Sequence, residues 1–266
     1  MHMTSLPSAL ECFDDIRHAA GDKPRAVFLD YDGTLTPIVS RPEDAQLSES
    51  MRLILRQLTA VCPVAIVSGR DLKDVHGLVA LDELYYAGSH GFEIAGPQGF
   101  YQVYQPAQVF LADLDGAERA LRDRLSSIDG AHIERKHFAI AVHVRRVSHT
   151  HTATVTAAVD TVQQAYPALR QTGGKKVIEL RPDLAWNKGT ALPWLLEAMG
   201  FQQQTVFSIY IGDDLTDEDA FMALRGAGVG IVVADETPRD TAARYALANI
   251  EEVHAFLAML VARQEG

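Results

Sequence analysis

One short segment constrains the fold of this chain more than any other. The apolar run Ala26–Leu29 has the length and composition of a buried strand. Asp30 and Asp32 follow it at once, and Gly33 then permits a sharp turn. Side chains two residues apart share one side of an extended backbone, so both carboxylates should point the same way and Tyr31 elsewhere. The segment therefore predicts a strand that delivers two acids to one place.

An acidic pair at a strand end has two interpretations. Oxygen ligands favour a hard cation such as Mg²⁺, which would offset the repulsion between the carboxylates and also bind a substrate phosphate. The alternative is an exposed turn in which one Asp caps the following helix. Three later segments of similar character favour the cation site.

The second segment repeats the arrangement of the first. The apolar run Val64–Val67 is followed by Ser68, Gly69 and Arg70. Ser68 would present its hydroxyl and a backbone N–H to a phosphate oxygen at the C-terminal end of the strand. The alternative is an ordinary strand-to-helix turn in which Ser68 or Asp71 caps the helix.

The third segment is Asn187-Lys188-Gly189, which opens an apolar-rich helix over residues 190–196. A single Lys before a helix is most often a solvated surface charge. A site that already carries several carboxylates and must hold a phosphate dianion needs a fixed cation, however. Lys188 is the best-placed candidate for that cation.

The fourth segment is a strand, Val206–Ile211, that ends in Gly212 and a run of acids. An acidic run commonly forms a solvated helix start, which the helix dipole favours. We expect that description to fit Glu218 and Asp219, the last two acids of the run.

The composition limits the partners of the protein. A net charge of −11 in 266 residues argues against nucleic acid or an anionic membrane as a partner, because both require a basic surface. Cys12 and Cys62 lack metal-type spacing, which fits a reducing compartment with neither thiol catalytic. The N-terminal residues 1–25 lack the apolar core of a signal peptide, and no run reaches membrane-spanning length. We expect a cytoplasmic protein, a monomer, that binds a small molecule.

Short strands alternate with amphipathic helices over residues 26–91 and again from residue 188 to the C-terminus. This alternation predicts a parallel sheet with helices on both faces and a ligand site at the strand C-termini. The predicted elements include helices over Ser48–Val61, from Asp71 onwards and over Ile250–Arg263, and strands over Leu84–Ala87 and Gly228–Val233. The fold class is therefore α/β, with a Rossmann-like parallel-sheet core.

The pattern changes between Gly91 and Pro182. Alternating stretches there predict strands at Phe100–Tyr104, Ala131–Lys136, Ala139–Arg145 and Lys176–Arg181, with helices at Ala112–Ser127 and Thr150–Tyr166. We expect a catalytic core over residues 1–91 and 183–266, and an inserted α+β cap over residues 92–182.

The predicted cap strands carry polar side chains two residues apart, and each such pair could line one surface. The pairs are Glu134 with Lys136, His143 with Arg145, and Glu179 with Arg181. They could be the solvated outer face of a half-buried sheet, as in most antiparallel sheets. Three mixed-charge pairs on neighbouring strands instead favour sugar binding, because such side chains can hydrogen-bond adjacent hydroxyls.

The apolar run followed by Asp-Tyr-Asp-Gly-Thr resembles the first motif of the haloacid dehalogenase-like phosphatases. The other three segments resemble, in order, the remaining motifs of that family. The resemblance implies that Asp30 attacks phosphorus to form an aspartyl-phosphate, and that Asp32 is the general acid and base. It also implies that Ser68 and Lys188 hold the phosphoryl oxygens.

The same resemblance implies a Mg²⁺ site. Asp30, the backbone carbonyl of Asp32, and Asp213 would bind the ion directly. Asp214 and Asp217 would bind it through water or orient other ligands.

Within that superfamily the motifs together are similar to the trehalose-6-phosphate phosphatases, over about residues 26–240. The resemblance implies hydrolysis of trehalose 6-phosphate to trehalose and phosphate, with an inserted cap that selects the substrate. The implied substrate-binding residues are Gly69, Arg70 and His90 in the core and Glu134, Lys136, His143, Arg145 and Glu179 in the cap.

Other functions remain open at this stage. A phosphatase with the same cap could act on sucrose, glucosylglycerol or mannosylglycerate phosphate, and a phosphosugar mutase could use the same core. A non-catalytic sugar-phosphate sensor is the alternative outside enzymes. The intact pair Asp30 and Asp32 argues against a sensor, which needs neither nucleophile nor acid.

Overall fold

The computed structural model describes residues 3, 6–39, 41–174, 176–234 and 239–262. The helices are α1 (Phe13–Ala20), α2 (Glu49–Thr59), α3 (Leu72–Val79), α4 (Leu111–Leu125), α5 (His149–Ala165), α6 (Lys188–Ala198), α7 (Glu218–Ala223) and α8 (Ile250–Ala262). The strands are β1 (Arg25–Leu29), β2 (Val64–Val67), β3 (Tyr85–Gly88), β4 (Glu93–Gly96), β5 (Phe100–Val103), β6 (His132–Lys136), β7 (Ala139–His143), β8 (Leu169–Gly174), β9 (Val177–Pro182), β10 (Phe207–Gly212), β11 (Gly228–Val233) and β12 (Tyr245–Leu247). The chain divides into two units, residues 1–102 with 186–266, and residues 103–185.

The first unit is built on an eight-stranded sheet of order β12-β11-β10-β1-β2-β3-β4-β5, counted over the described residues. The strands from β12 to β3 pair in parallel, and β4 then turns back antiparallel to β3. Parallel neighbours need crossover connections, which helices supply, and this explains the alternation of strand and helix in the sequence. The α/β class with a Rossmann-like core is confirmed.

The two faces of this sheet bury different sets of side chains. In β1, Val27 and Leu29 belong to a core cluster with α1, α2, α3 and α8, whereas Ala26 and Phe28 face a second cluster with α6 and α7. A strand buried on both faces is apolar throughout, and that is why Ala26–Leu29 shows no polar alternation.

The expected boundary between the two parts of the chain differs from the structure. The sequence placed residues 92–182 in the insertion, but β4 and β5 extend the large sheet. The structural division lies at residues 102/103 and 185/186. The sequence predicted no strand at β4, and the alternating stretch Phe100–Tyr104, which includes β5, was assigned to the insertion because alternation is typical of an antiparallel sheet.

The second unit is an antiparallel four-stranded sheet of order β6-β7-β9-β8, as described, with two helices on one face. Ile140, Val142 and Leu180 point to that face and pack with α4 and α5. The helices lie within two residues of the predicted ranges. β8, which pairs with β9, had not been predicted from the sequence.

Several local predictions match closely. The Ser48 hydroxyl caps α2 by accepting a hydrogen bond from the Met51 N–H at 3.2 Å. α3 begins directly after Asp71, and α8 covers the predicted last helix up to Ala262, whereas Arg263 lies outside the described residues. Within the described ranges, no helix combines the length and hydropathy that a membrane span requires.

Candidate active site

The register of the large sheet brings three motif segments to one edge. Leu29 at the end of β1 pairs with Ile211 of β10 on one side and with Ile66 of β2 on the other. Asp30, Asp213 and Ser68 each lie one or two residues beyond these paired positions. Parallel strands end together, so the three side chains meet at the C-terminal edge of the sheet.

Lys188 lies at the centre of a buried hydrogen-bond network. Its ammonium donates to Asp30 Oδ1 at 2.7 Å and to Asp217 Oδ1 at 2.8 Å, and Asp217 Oδ1 also accepts from the Tyr210 hydroxyl at 2.7 Å. Lys188 is the first residue of α6, where Asn187 and Thr190 form a reciprocal capping box. The cap fixes the start of the helix and hence the ammonium. Lys188 is not a solvated surface charge.

Asp30, Asp213 and Asp217 form a buried acidic group whose ligand oxygens lie within 4.8 Å of one another. Gly33 allows the approach of the first segment to Asp213: its φ is +86°, and a Cβ there would collide with the Asp213 carboxylate. Three carboxylates against one ammonium leave an excess of negative charge in a buried place. The donor set therefore fits a hard divalent cation.

The electrostatics of the group agree with that interpretation. Burial raises the pKa of the Asp30 carboxyl well above its ordinary value; the charge of Lys188 opposes this, and the charges of Asp217 and Asp213 add to it. Burial alone would lower the pKa of Lys188, but Asp217 and Asp30 outweigh it and raise that pKa above its usual range. Lys188 stays an ammonium ion, and the Asp30 carboxylate needs a further cation.

Of the five expected metal-site residues, Asp32 and Asp214 are not members of this acidic group. The Asp214 carboxylate accepts from the Leu215 N–H at 2.7 Å, while the Asp214 N–H donates to Asp217 Oδ2 at 2.9 Å. Among the described residues, the acidic group does not include Asp32, for which the resemblance implied a backbone ligand only. The structure thus brings together Asp30, Asp213 and Asp217, with Asp214 as the cap of the turn beside them.

The Asp32 carboxylate is held by Arg70. Nε of Arg70 donates to Asp32 Oδ2 at 2.7 Å and Nη2 donates to Oδ1 at 2.8 Å, which is a two-pronged ion pair. Nη1 donates to Asp74 Oδ2 at 2.8 Å, and the guanidinium carbon lies 5.4 Å from the centre of the Tyr31 ring. Burial works against the charge, but Asp32 and Asp74 raise the pKa of Arg70 above its usual range.

Ser68 lies at the expected place but uses its backbone differently. Its N–H donates to the Ala87 carbonyl at 2.9 Å as part of the sheet, so a backbone N–H that faces a phosphate here is not that of Ser68. Its hydroxyl oxygen accepts from the Arg70 N–H at 3.1 Å and still has its own proton to donate.

His90 lies against the same strand end. Its N–H donates to the Ser68 carbonyl at 2.9 Å, and a Cβ on Gly69 would come within 2.8 Å of the imidazole. Ser89, His90 and Gly91 all have positive φ, so the loop after β3 makes a tight left-handed turn that directs the ring to Gly69.

In the second unit, the predicted polar side chains share the face of the sheet opposite its helices. His143 Nε2 lies 2.7 Å from Glu134 Oε2, and the Lys136 ammonium lies 2.9 Å from Glu179 Oε1. Glu134 and Glu179 lie on either side of Ala141 in the strand register. The pairs form across strands rather than along them, and Lys136 and Glu179 are largely buried. A fully solvated outer face does not describe them.

Arg145 does not share that face with His143. β7 ends at His143, and Arg145 is exposed in a turn closed by the hydrogen bond from the Val147 N–H to the Val144 carbonyl. A Cβ on Gly130 would collide with the Arg146 carbonyl, so the turn packs tightly against that backbone. The alternation of apolar and polar residues continues to Arg145, so the predicted strand was two residues longer than β7.

The sequence also missed contacts that support the site. Glu218 is half-buried and paired with Arg239, so its description as a solvated helix start is wrong. Arg239 Nη2 donates to the Asp213 carbonyl at 2.7 Å and so holds the backbone of Asp213 from a position 26 residues later in the chain. No sequence pattern signals that contact. Asp74 lies in α3 four residues after Arg70, which precedes that helix, and this spacing could have signalled their pairing.

The fold and this buried group of acids define a class of protein. A haloacid dehalogenase-like hydrolase from Bacteroides thetaiotaomicron has the same fold, with a TM-score of 0.62 at 18% identity over 91% of this chain and 100% of that one. The C-terminal domain of C. albicans trehalose-6-phosphate phosphatase has a TM-score of 0.79 at 23% identity, over 97% of this chain and 99% of that one. The chain therefore has the haloacid dehalogenase-like hydrolase fold.

The sequence relatives define the family within that class. The family model described as trehalose-phosphatase matches residues 28–251. The probable trehalose-phosphate phosphatase H of Arabidopsis thaliana is 45% identical over 97% of this chain and 78% of its own length. The chain belongs to the trehalose-phosphatase family and is a phosphoric monoester hydrolase.

Proposed function

We propose that the protein hydrolyses trehalose 6-phosphate to trehalose and inorganic phosphate, the last step of trehalose biosynthesis. The observation that carries the proposal is the buried contact of Lys188 with Asp30, beside Asp213 and Asp217, in a chain of the trehalose-phosphatase family. A carboxylate beside a fixed ammonium at the end of parallel strands suits attack on a phosphate ester.

Asp30 is the proposed nucleophile. One of its carboxylate oxygens forms a bond to phosphorus while the bond from phosphorus to the sugar oxygen breaks, which yields an aspartyl-phosphate on Asp30. Asp32 gives its proton to the departing sugar oxygen. It then takes a proton from the water that attacks the aspartyl-phosphate and releases phosphate.

Lys188 and Ser68 are the proposed holders of the phosphoryl oxygens. The Lys188 ammonium already contacts the Asp30 oxygen from which attack would start, so it can neutralise charge on nucleophile and phosphate together. The free proton of the Ser68 hydroxyl can donate to a phosphoryl oxygen, because its lone pair already accepts from Arg70.

A divalent cation, Mg²⁺ by the chemistry of the donors, would be held by Asp30, Asp213 and the backbone carbonyl of Asp32. Asp214 and Asp217 would orient this group. When bound, the ion supplies positive charge that screens the phosphate from the surrounding carboxylates. The support is the excess of buried carboxylate over ammonium in the group that Lys188 shares.

We assign catalysis to the first unit and substrate selection to the second. In the second unit, one face of the sheet presents the Lys136–Glu179 ion pair and the hydrogen bond between His143 and Glu134. Carboxylates accept from sugar hydroxyls and the ammonium donates to them, so such a face suits a neutral disaccharide. Arg145, Gly69 and His90 complete the proposed substrate contacts.

The substrate is the expected partner, and we propose a cytoplasmic monomer. Both cysteines, Cys12 and Cys62, are free thiols, as expected in a reducing compartment. The net charge of −11 opposes binding to nucleic acid or an anionic membrane.

The test is a panel of sugar phosphates assayed by release of inorganic phosphate. We expect the highest kcat/KM for trehalose 6-phosphate among trehalose, sucrose, glucosylglycerol and mannosylglycerate phosphates. A higher value for another member would move the assignment to that substrate. Isomerised sugar phosphate without phosphate release would indicate a mutase, and binding without turnover in the presence of Mg²⁺ would indicate a sensor.

A further inference from the structure

We propose that Arg70 is a positioning residue for the proton-transfer step: it fixes the side chain of Asp32 in the orientation from which its carboxyl group protonates the leaving oxygen and then, as a carboxylate, takes a proton from water. The inference rests on the proposed role of Asp32. It replaces the expectation that the Arg70 guanidinium binds substrate directly.

Three of the five N–H groups of the guanidinium already donate to carboxylates. All three of its nitrogens donate to carboxylates at 2.7–2.8 Å, two to Asp32 and one to Asp74. Arg70 is 8% exposed, so little of it can reach a ligand. A substrate contact would have to use the remaining N–H groups of Nη1 and Nη2 on this buried side chain.

Asp32, which accepts two of these hydrogen bonds, is by contrast open to solvent. The Asp32 side chain is 38% exposed, and an exposed Asp at a strand end can rotate among several side-chain conformations. Two parallel hydrogen bonds from a planar fork fix the carboxylate plane, which a single contact would not do. A group that transfers a proton must lie within hydrogen-bond reach of the atom that receives it.

Arg70 is itself held from several sides. Its backbone N–H donates to Ser68 Oγ at 3.1 Å, and its carbonyl accepts from the Ser89 N–H at 2.7 Å. The Tyr31 ring lies under the guanidinium, and the Tyr31 hydroxyl donates to the Ala45 carbonyl at 2.6 Å. Because Tyr31 lies between Asp30 and Asp32, these contacts help to fix the positions of both acids.

The test separates proton transfer from phosphate binding. It uses aryl phosphates, which carry no sugar and whose leaving groups differ in basicity. A p-nitrophenolate departs as an anion, so it needs no proton from Asp32, whereas a phenolate departs far better when Asp32 protonates it. Arg70→Lys keeps the positive charge but loses the fork. We expect kcat/KM to fall about tenfold to a hundredfold for phenyl phosphate and less than about threefold for p-nitrophenyl phosphate.

A double-mutant cycle provides the second readout. In an Asp32→Asn background, Arg70→Lys should cause no further change in the dependence on leaving group, because there is no proton donor to position. Asp74→Ala frees one side of the guanidinium and should cause a smaller change in the same direction. This variant carries the test if Arg70→Lys does not fold, as judged by thermal unfolding.

Arg122→Lys is the matched control, since it makes the same exchange at an Arg–Glu pair in the second unit, with Glu118. It should leave every rate unchanged. Equal losses on all aryl phosphates would show that Arg70 contacts the phosphoryl group and would overturn the proposal. An unchanged kcat/KM for phenyl phosphate in Arg70→Lys would overturn it as well. So would additive effects of Arg70→Lys and Asp32→Asn on the dependence on leaving group. Failure of the proposed function appears separately, as lack of turnover of trehalose 6-phosphate while aryl phosphates still react.

Discussion

At the scale of single residues, the position of one ammonium group determines what the acids can do. Lys188 bridges Asp30 and Asp217, which occupy segments 187 residues apart in the sequence. The single positive charge of the ammonium offsets part of the negative charge of both carboxylates. Asp32 contacts a different cation, Arg70. The two acids of the first segment are thus separated in environment, which allows one to be a nucleophile and the other a proton carrier.

Asp30→Asn tests the nucleophile. A carboxamide has nearly the same volume but cannot form the acyl phosphate, so we expect turnover to fall by at least about a thousandfold. The measurement is phosphate release from trehalose 6-phosphate with excess Mg²⁺. Far-UV circular dichroism should show an intact fold. Residual activity within about tenfold of wild type would place the nucleophile elsewhere.

Removal of divalent cations tests the role of the buried acids. We expect EDTA to abolish phosphate release and added Mg²⁺ to restore it far better than Ca²⁺. The larger Ca²⁺ accepts looser coordination and would leave phosphate and carboxylate less well aligned. Asp213→Asn should raise the Mg²⁺ concentration needed for half-maximal activity. Full activity in excess chelator would contradict a metal role for Asp213.

At the scale of elements, the sheet of the second unit uses its two faces for different purposes. One face carries the apolar residues that pack with α4 and α5, and the other carries the cross-strand pairs Glu134–His143 and Lys136–Glu179. The strict alternation of a β-strand makes this separation possible. The pairing order β6-β7-β9 places the two carboxylates in one row across the sheet.

Glu179→Ala tests whether this face selects the substrate. We expect kcat/KM for trehalose 6-phosphate to fall about ten- to a hundredfold, because one charged hydrogen bond is worth roughly 1.5–3 kcal/mol. Hydrolysis of p-nitrophenyl phosphate should change little, since that substrate has no sugar hydroxyl.

Two controls accompany this prediction. Asp123→Ala removes a carboxylate from the exposed surface of α4 and should affect neither substrate. Glu179→Gln keeps the size and one acceptor, and should lose less activity than the Ala variant. Equal losses on both substrates would instead indicate a folding defect in the second unit. No loss on either would leave the pairs as structural contacts.

At the scale of the whole molecule, the first unit is stabilised by two clusters that flank one sheet. Cys62 lies in the larger cluster, two residues before β2, and is 8% exposed. Burial raises the pKa of its thiol to about 12, so the reactive thiolate is scarce at neutral pH. Cys12, at the start of α1, is partly exposed.

Thiol alkylation therefore reports on opening of the core. In a Cys12→Ser variant, whose one remaining thiol is Cys62, we expect iodoacetamide labelling at neutral pH to be slow and to follow global unfolding as urea is added. Cys62→Ser is the matched control, in which Cys12 should react without denaturant. Labelling of Cys62 as fast as that of Cys12 would show that this cluster opens locally. The readout is the labelled fraction by mass spectrometry.

Local sequence determined much of this protein. Short-range rules specify the apolar strand Ala26–Leu29, the Ser48 cap, the turn at Gly33 and the α/β alternation, because strand periodicity, helix caps and glycine conformations depend on neighbours in the chain. The same patterns located Asp30, Ser68, Lys188 and Asp213 at element ends. Parallel strands place their C-termini together, so the edge that holds the site could be predicted as well.

Tertiary structure decided the rest. The sequence could not show that Lys188 bridges Asp30 and Asp217. Nor could it show that Arg70 binds both oxygens of Asp32, or that Arg239 donates to the Asp213 carbonyl. It assigned β4 and β5 to the insertion and extended β7 to Arg145, because pairing with other strands decides both to which sheet a strand belongs and where it ends. Ion-pair partners and strand neighbours are chosen by packing between segments far apart in the chain, where local pattern carries no information. The site residues follow from sequence, and their partners follow from the fold.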